Sequence, residues 1–160
     1  MKRAVDNSQR TFTRKKIRLQ LRSRWFIQVM SSILARLNRA RVAVLYQAAI
    51  APPIDGVIKP LKPGGYSDSG ADIAYALQSI GISVITPTEK PTELNNTDWV
   101  FPDTAEGIAA ARSKGANVLW ANTVLFETHP LQELETDGSV AIIGHPCSIV
   151  HRYDDKYTTN

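Results

Sequence analysis

The chain has 160 residues, of which 43% are hydrophobic, 21% charged and 8% aromatic, with a single cysteine. These values suit one globular domain with a buried core, and they exclude a collagenous, a low-complexity and a wholly disordered chain. One cysteine also excludes an internal disulfide or a cysteine-rich zinc framework. Charges interrupt every apolar run before the roughly 18 residues that a membrane-spanning helix needs, so we expect no transmembrane segment.

Charge is divided unevenly along the chain, although the formal net charge is only +4. Residues 1–42 contain twelve Lys or Arg and one acidic residue, Asp6, whereas residues 43–160 contain seven basic and fourteen acidic residues. The acidic part repels nucleic-acid phosphates, so we expect no nucleic-acid partner.

Residues 1–40 read as a basic extension, helical or disordered, outside the domain that follows. Apolar residues recur every four positions within it, as on one face of a helix: Leu21, Trp25, Val29, Ile33 and Leu37. Acid-poor, Arg-rich segments of this kind are typical of organelle transit peptides. Basic amphipathic helices can also lie on anionic membranes. Because the single cysteine favours a reducing compartment, we expect a cytoplasmic protein, or a mitochondrial one if the extension is a transit peptide.

The first strand is predicted at Val42–Tyr46, because this short run is apolar without polar alternation, as in a strand buried on both faces. A loop rich in Pro and Gly follows. Ser67 or Asp68 is predicted to cap the next helix, which ends at Gly81. The side chains predicted to face inward from this helix are Ile73, Ala76, Leu77 and Ile80.

A second strand is predicted at Ile82–Thr86, and the polar loop after it returns to Asp103 and Thr104. Asp103 is predicted to cap the next helix, with Glu106 completing a capping box. Gly115 ends this helix, whose inward residues are predicted to be Ile108, Ala109 and Ala111.

The remaining elements are a strand at residues 117–121, a weak helix at 130–134 and a strand at 140–144. Strands alternating with helices in this way indicate an α/β, Rossmann-like fold. Its open parallel sheet has about four strands, with helices on both faces. The domain is expected at residues 41–153, and a further helix is expected to begin at Asp154 or Asp155, opening a linker over 154–160.

The loop at Gly64 and Gly65 lies between the first strand and its helix, where doubly wound folds often bind phosphate. It matches neither of the Gly-rich phosphate-binding motifs. Asp68 competes for the N–H donors at the helix start, so a turn-and-cap role is favoured over phosphate binding.

The three histidines and Cys147 do not have the spacing of a metal site. No two of His129, His145 and His151 stand four residues apart, and none of them is followed directly by a glutamate, so the H-E-x-x-H motif of zinc hydrolases is absent. Cys147 precedes His151 by four residues, but nothing nearby orients such a pair for nucleophilic catalysis. A partly buried, inert cysteine is favoured.

A polar segment follows the third predicted strand, at the edge where parallel sheets bind ligands. Asn122, Thr123, Glu127 and His129 could hydrogen-bond a substrate there, or could satisfy the loop's own backbone. The residues alone leave both readings open.

Five blocks of sequence resemble the N-terminal (pre-ATP-grasp) domain of ATP-grasp enzymes. They are K-P-G-G-Y-S-D-S-G-A-D-I-A-Y at 62–75, F-P-D-T-A-E-G-I at 101–108, W-A-N-T-V-L-F-E-T-H-P-L at 120–131, V-A-I-I-G-H-P at 140–146 and D-D-K-Y-T-T-N at 154–160. Within the superfamily the chain most resembles the branch of carbamoyl-phosphate synthase large chain and biotin carboxylase. It also resembles uncharacterised proteins described as glutathione synthetase ATP-binding domain-like, to which the blocks at 62–75 and 101–108 are similar in particular.

The resemblance implies the N-terminal domain of an ATP-dependent carboxylate–amine ligase, with ATP and Mg²⁺ as cofactors. Lys156 resembles a lysine that reaches nucleotide phosphate. Asn122, Thr123 and Glu127 resemble a loop that shapes the substrate cleft, and His129, Gly64 and Gly65 are expected to complete that site for a small carboxylate or amino acid. The metal ligands and the catalytic domain of this family are expected beyond residue 160.

Residues 1–160 are therefore expected to be inactive by themselves. The alternative is a non-catalytic α/β module that binds or senses a small molecule. The sequence is compatible with a homodimer and does not determine the oligomeric state.

Overall fold

The computed structural model describes residue 31 and residues 39–53, 56–58 and 60–154, and side chains are described up to residue 150. The predicted helix in the basic extension lies outside the described residues, and so does Lys156. Within the described part of the chain, no helix has the length and apolar character that crossing a membrane requires.

Five strands and four helices alternate along the described chain. In order they are β1 Arg41–Tyr46, α1 Ser67–Ser79, β2 Ser83–Val84, β3 Phe101–Pro102, α2 Ala105–Ser113, β4 Val118–Asn122, α3 Leu131–Asp137, β5 Ala141–Ile143 and α4 Cys147–Asp154. Two short 3₁₀ turns, Pro63–Tyr66 and Asn96–Asp98, precede α1 and β3.

The strands form one open, wholly parallel sheet, which confirms the predicted fold class. On one side β1 pairs with β4 along its whole length, and β4 pairs with β5. On the other side β1 pairs with β2 at its start and with β3 at its end. The prediction of four strands missed β3.

Helices cover both faces of the sheet, as predicted, because β1 alternates its side chains between two apolar clusters. Ala43 and Leu45 pack in one cluster with residues of α2, α3 and α4. Val42 and Val44 pack in the other with Ala71 and Ala74 of α1 and with Trp99 and Val100. Burying a sheet on both faces is what its continuous apolar strands require.

The predicted start and inward face of α1 are partly wrong. The N-cap is Tyr66, in the left-handed region at φ 65°, rather than Ser67 or Asp68. Small residues, Gly70, Ala71 and Ala74, lie against the sheet, while Ile80 is 74% exposed and Ala76 is exposed as well. At Gly70 a Cβ would lie 3.0 Å from the Val100 side chain, so helix and sheet approach closely there. The predicted inward residues Ile73 and Leu77 are partly buried and pack against the same cluster.

The predicted cap of α2 is also wrong. Thr104 is the N-cap and its Oγ1 accepts the N–H of Gly107 at 3.2 Å, which places Glu106 one position too early for a capping box. Asp103 does not cap α2, because its carboxylate accepts hydrogen bonds from residues outside the helix. Ala109 is exposed, and the buried residues of α2 are Gly107, Ile108 and Ala111.

Two later elements differ from the prediction. The second strand is shorter, Ser83–Val84, and the helix near the end of the described chain begins at Cys147 rather than at Asp154 or Asp155. The carboxylate of Glu135 accepts the N–H of Cys147 at 2.9 Å, which gives α4 a tertiary N-terminal acceptor 12 residues away in sequence. An acceptor supplied from another helix leaves no local signal in the sequence.

Candidate functional site at the carboxyl edge of the sheet

Three neighbouring strands end side by side at one edge of the sheet, and a loop follows each of them. β1 leads to Gln47, β3 to Asp103 and β4 to Thr123. The N–H of Asp103 donates to the carbonyl oxygen of Tyr46 at 3.0 Å, which fixes the end of β3 against the end of β1. Ligands of open α/β sheets bind at this edge, so it is the candidate site.

The carboxylate of Asp103, which is completely buried, is the centre of a hydrogen-bond network at this edge. Its Oδ1 accepts the backbone N–H groups of Ala48 at 2.7 Å and Ala49 at 2.6 Å. Its Oδ2 accepts the hydroxyl of Thr123 and the Nε2–H of His129, the latter at 3.0 Å. One carboxylate therefore joins the segments that follow β1, β3 and β4.

The hydrogen bonds of His129 define its protonation state. Its Nδ1 lies 3.2 Å from the backbone nitrogen of Leu131, which has a proton to donate, so Nδ1 is the acceptor. Nε2 then carries the proton that is donated to Asp103. The side chain is fully buried, and its ring meets the edge of Phe126 at 5.0 Å between centroids. His129 is thus a neutral imidazole with both nitrogens in use.

The environment of Asp103 keeps its carboxylate ionised. Burial raises its pKa, but hydrogen bonds from His129, Thr123, Ala49 and Ala48 lower it by more, and the net pKa lies below the usual value. A buried carboxylate that accepts several N–H and O–H bonds is stabilised in its charged form. The arrangement therefore holds a fixed negative charge beneath the edge.

The Gly64–Gly65 turn packs against the segment that leaves β1. The two glycines have φ of 75° and 56°, in the left-handed region that favours glycine. The N–H of Gln47 donates to the carbonyl oxygen of Gly65 at 2.7 Å. A Cβ at Gly65 would overlap the Gln47 carbonyl oxygen, so the close approach requires glycine.

Asn122 ties the end of β4 to the start of α1. Its Nδ2 donates to the carbonyl oxygen of Tyr66 at 2.9 Å and to the Oγ of Ser69 at 3.2 Å. The structure thus brings the predicted residues Asn122, Gly64 and Gly65 to adjoining parts of one edge.

Lys62 and Asp68 flank the same turn at the surface. The Nζ of Lys62 lies 3.7 Å from the Oδ2 of Asp68 and 4.6 Å above the centroid of the Tyr66 ring. The backbone N–H of Ser69 lowers the pKa of Asp68, and Lys62 lowers it further. Asp68 lies in the first turn of α1 without being its N-cap, so the predicted turn is present and the predicted cap is not. Its negative charge at this terminus disfavours a phosphate.

The other predicted site residues occupy different surroundings. Thr123 and His129 both bind Asp103, whereas the side chain of Glu127 is exposed. Among the residues that the structure describes, no group of three or more His, Cys, Asp or Glu side chains is arranged to hold a metal ion. These residues fit neither the Mg²⁺ nor the phosphates that the resemblance implies.

Cys147 is fully buried, rather than partly buried as predicted, and lies within the same apolar cluster as Leu131 and Leu134 of α3. Burial raises the pKa of its thiol to about 12, with a further contribution from Glu135. A thiol in this state is a poor nucleophile.

Asp103 is the site residue that the sequence reasoning missed, since it was assigned only to a helix cap. The sequence shows an acid two residues after the apolar run Trp99–Val100–Phe101, but that this run ends in a strand is visible only from its pairing with β1. Its two main-chain partners, Ala48 and Ala49, carry no side-chain signal of their own.

Comparisons with models of protein families, with curated proteins and with solved structures find no match to this chain. The fold and the edge by themselves define a Rossmann-like, parallel α/β domain whose carboxyl edge is organised by a buried aspartate.

Proposed function

We propose that residues 41–153 are the N-terminal domain of an ATP-dependent carboxylate–amine ligase of the ATP-grasp type. In this proposal the carboxyl edge of the sheet forms one wall of the cleft for a small carboxylate or amino acid. The observation that carries the proposal is that three of the blocks resembling that family converge at this edge, although they are far apart in sequence.

The first block, 62–75, forms the glycine turn and most of α1, and it meets the third block, 120–131, through the bonds from Asn122 to Tyr66 and Ser69. The second block, 101–108, meets the third through the bonds from Thr123 and His129 to Asp103. A resemblance spread over separate segments supports a shared role when those segments build one surface.

The edge offers suitable chemistry for a small acid. Lys62 supplies a positive charge, and its ion pair with Asp68 is long and half exposed, so an incoming carboxylate can compete for it at little cost. The glycine turn is fixed by its hydrogen bond to Gln47, and Asn122 holds the turn to β4 by donating to Tyr66 and Ser69, so little ordering is needed on binding.

Nucleotide and metal chemistry are assigned to residues other than those described. In the family, ATP phosphorylates a carboxylate and a nitrogen nucleophile displaces the acyl phosphate. The contribution proposed for the present domain is to bind and orient the acid.

The experiment is calorimetry of the full chain with a panel of amino acids and small carboxylates, together with an assay for ADP release in the presence of Mg²⁺ and ATP. We expect one acid to bind and no ADP to be released. Lys62→Gln should weaken binding at least tenfold, whereas the matched surface change Lys114→Gln, on the opposite edge, should not. Steady ADP release by residues 1–160, or an affinity unaffected by Lys62→Gln, would contradict the proposal.

A second candidate is a non-catalytic module that binds a small acid. It is favoured by the mutual satisfaction of Asp103, Thr123 and His129, which leaves none of these three side chains committed to a reacting group. The genomic sequence that follows the codon of Asn160 separates the two candidates. A continuation with the Lys, Glu and Asn positions of an ATP-grasp fold supports the ligase, and any other continuation supports the module.

A further inference from the structure

We propose that His129 is a proton-operated latch on the segment 123–131, which joins β4 to α3 and forms part of the candidate site. The latch is closed while the imidazole is neutral and opens when it takes up a proton. The inference rests on the proposed function only for its consequence, control of the acid site, because the opening itself involves no ligand.

The hydrogen bonds around the ring are compatible with one protonation state. Nε2–H donates to Asp103 at 3.0 Å, and Nδ1 accepts the N–H of Leu131 at 3.2 Å. A second proton has to bind at Nδ1, where it would point at the backbone N–H of Leu131. Two donors then face each other in place of one hydrogen bond.

Burial prevents an easy escape from this conflict. His129 is 1% exposed and Leu131 is fully buried, so water cannot replace the lost acceptor while the segment keeps its position. A buried donor without a partner is costly. Asp103 holds the imidazolium at Nε2 by charge, so the element that yields is the start of α3, which moves away from the ring.

The segment that would be released is anchored in the apolar cluster by Leu125 and Leu131, and its hydrogen bonds are concentrated around His129. Thr123 binds Asp103, His129 donates its backbone N–H to Phe126 at 3.0 Å, and the N–H of Gln132 donates to the carbonyl oxygen of His129 at 2.9 Å. These bonds hold a turn around His129 itself, so a displaced ring carries the turn with it. The sheet is anchored independently through β1, β4 and β5.

The charged and titratable groups around the ring leave the proton a single destination. Asp103, from the connection between β3 and α2, faces Nε2, and its pKa lies below the ordinary value, so its carboxylate is ionised. Cys147 of α4 shares an apolar cluster with Leu131, and burial with Glu135 keeps its thiol neutral. Glu135 itself, on α3, is bound to the N–H of Cys147. Glu127, on the same segment as His129, is exposed.

The test is a pH titration of the full, isotope-labelled chain by NMR between about pH 8 and 5, where ordinary imidazoles titrate. The ring nitrogens of His129 and the amides of Thr123 and Leu131 are followed, with Val44 as a reporter of the sheet. We expect the Thr123 and Leu131 amides to shift with the midpoint of His129. The hydrogen-exchange protection of Leu131 should fall at least tenfold, while Val44 stays constant.

Two variants that cannot titrate serve as controls. In His129→Gln the terminal amide can donate to Asp103 as Nε2 does, and in His129→Asn the amide oxygen can accept from Leu131 as Nδ1 does. Both should abolish the pH-linked change, whereas His145→Gln, at an exposed position, should leave it intact.

The latch is refuted if Leu131 keeps its protection while His129 titrates, or if His129 takes up no proton before the sheet unfolds. Persistence of the change in either variant refutes it as well. The wild-type titration decides the matter even if a variant does not fold. Because no ligand is present, failure here leaves the proposed function untouched, and failure of acid binding leaves the latch untouched.

Discussion

The Oδ2 atom of Asp103 lies 3.0 Å from the Nε2 atom of His129, and both side chains are completely shielded from solvent. The two residues are 26 positions apart, at the ends of different segments that meet only in the folded sheet. Their hydrogen bond joins the loops after β3 and β4, and the other bonds of Asp103 add the segment after β1. This buried network therefore fixes the geometry of the candidate site.

Removing the charge of Asp103 should destabilise the fold strongly. In Asp103→Asn the amide group cannot accept from Thr123 and His129 while also accepting from Ala48 and Ala49, so buried donors lose their acceptor. We expect a loss of about 2–4 kcal/mol in the free energy of unfolding, measured by urea denaturation. Asp68→Asn, at an exposed carboxylate, should change it little, and equal effects of the two substitutions would contradict the role given to Asp103.

The stability should depend on pH through the same carboxylate. The pKa of Asp103 is lowered in the folded state, so its stabilisation is complete above the ordinary value of 3.8 and is lost as the pH falls from there through the lowered folded pKa. Urea denaturation at a series of pH values should show this decline. In Asp103→Asn the decline should be shallower, and curves of the same slope would exclude Asp103 as its source.

Glycine at position 65 should be required for contact as well as for conformation. Gly65→Ala combines a left-handed φ with a clash against the carbonyl of Gln47, and we expect it to cost roughly 3 kcal/mol. Gly138→Ala is the matched control, because φ is 62° there but no described atom lies within 4 Å of the added Cβ; its cost should be about 1 kcal/mol. Similar costs in thermal or urea denaturation would show that conformation alone matters.

Cys147 should be unreactive in the native protein. Because burial raises the pKa of its thiol to about 12, the thiolate fraction at pH 8 is very small, and reagents also lack access. Labelling by a disulfide reagent should be at least about 100-fold slower in the folded chain than in denaturant. Rapid labelling of the folded chain would mean that α4 opens readily.

The sequence predicted the sheet better than it predicted the site. A strand that is buried on both faces needs a continuous apolar run, and such a run is visible in the sequence. For this reason β1 and β4 can be predicted. β3 left no such signal, because it has only two residues, one of them Pro102, and acts as a strand only beside the end of β1. Its existence depends on tertiary pairing.

The site shows the same limit at the level of single residues. Asn122 and Thr123 lie at the carboxyl end of β4, as the sequence predicted, because strand ends can be located from an apolar run. The substrate-binding role predicted for them and for His129 stays a prediction. Asp103 and Thr104 are both good capping residues, and local propensity cannot choose between them. The choice is made by the N–H groups of Ala48 and Ala49, 55 and 54 residues away, which take Asp103 into the network.

The most direct test of the account is to map where a small acid binds. The amide resonances of the full chain are compared with and without the acid that binds most tightly in calorimetry. Binding at the carboxyl edge predicts that the largest shifts occur at Gly64, Gly65, Asn122 and Thr123. Largest shifts at the opposite edge, around Arg41 and Gly115, or no binding by any small acid, would contradict it.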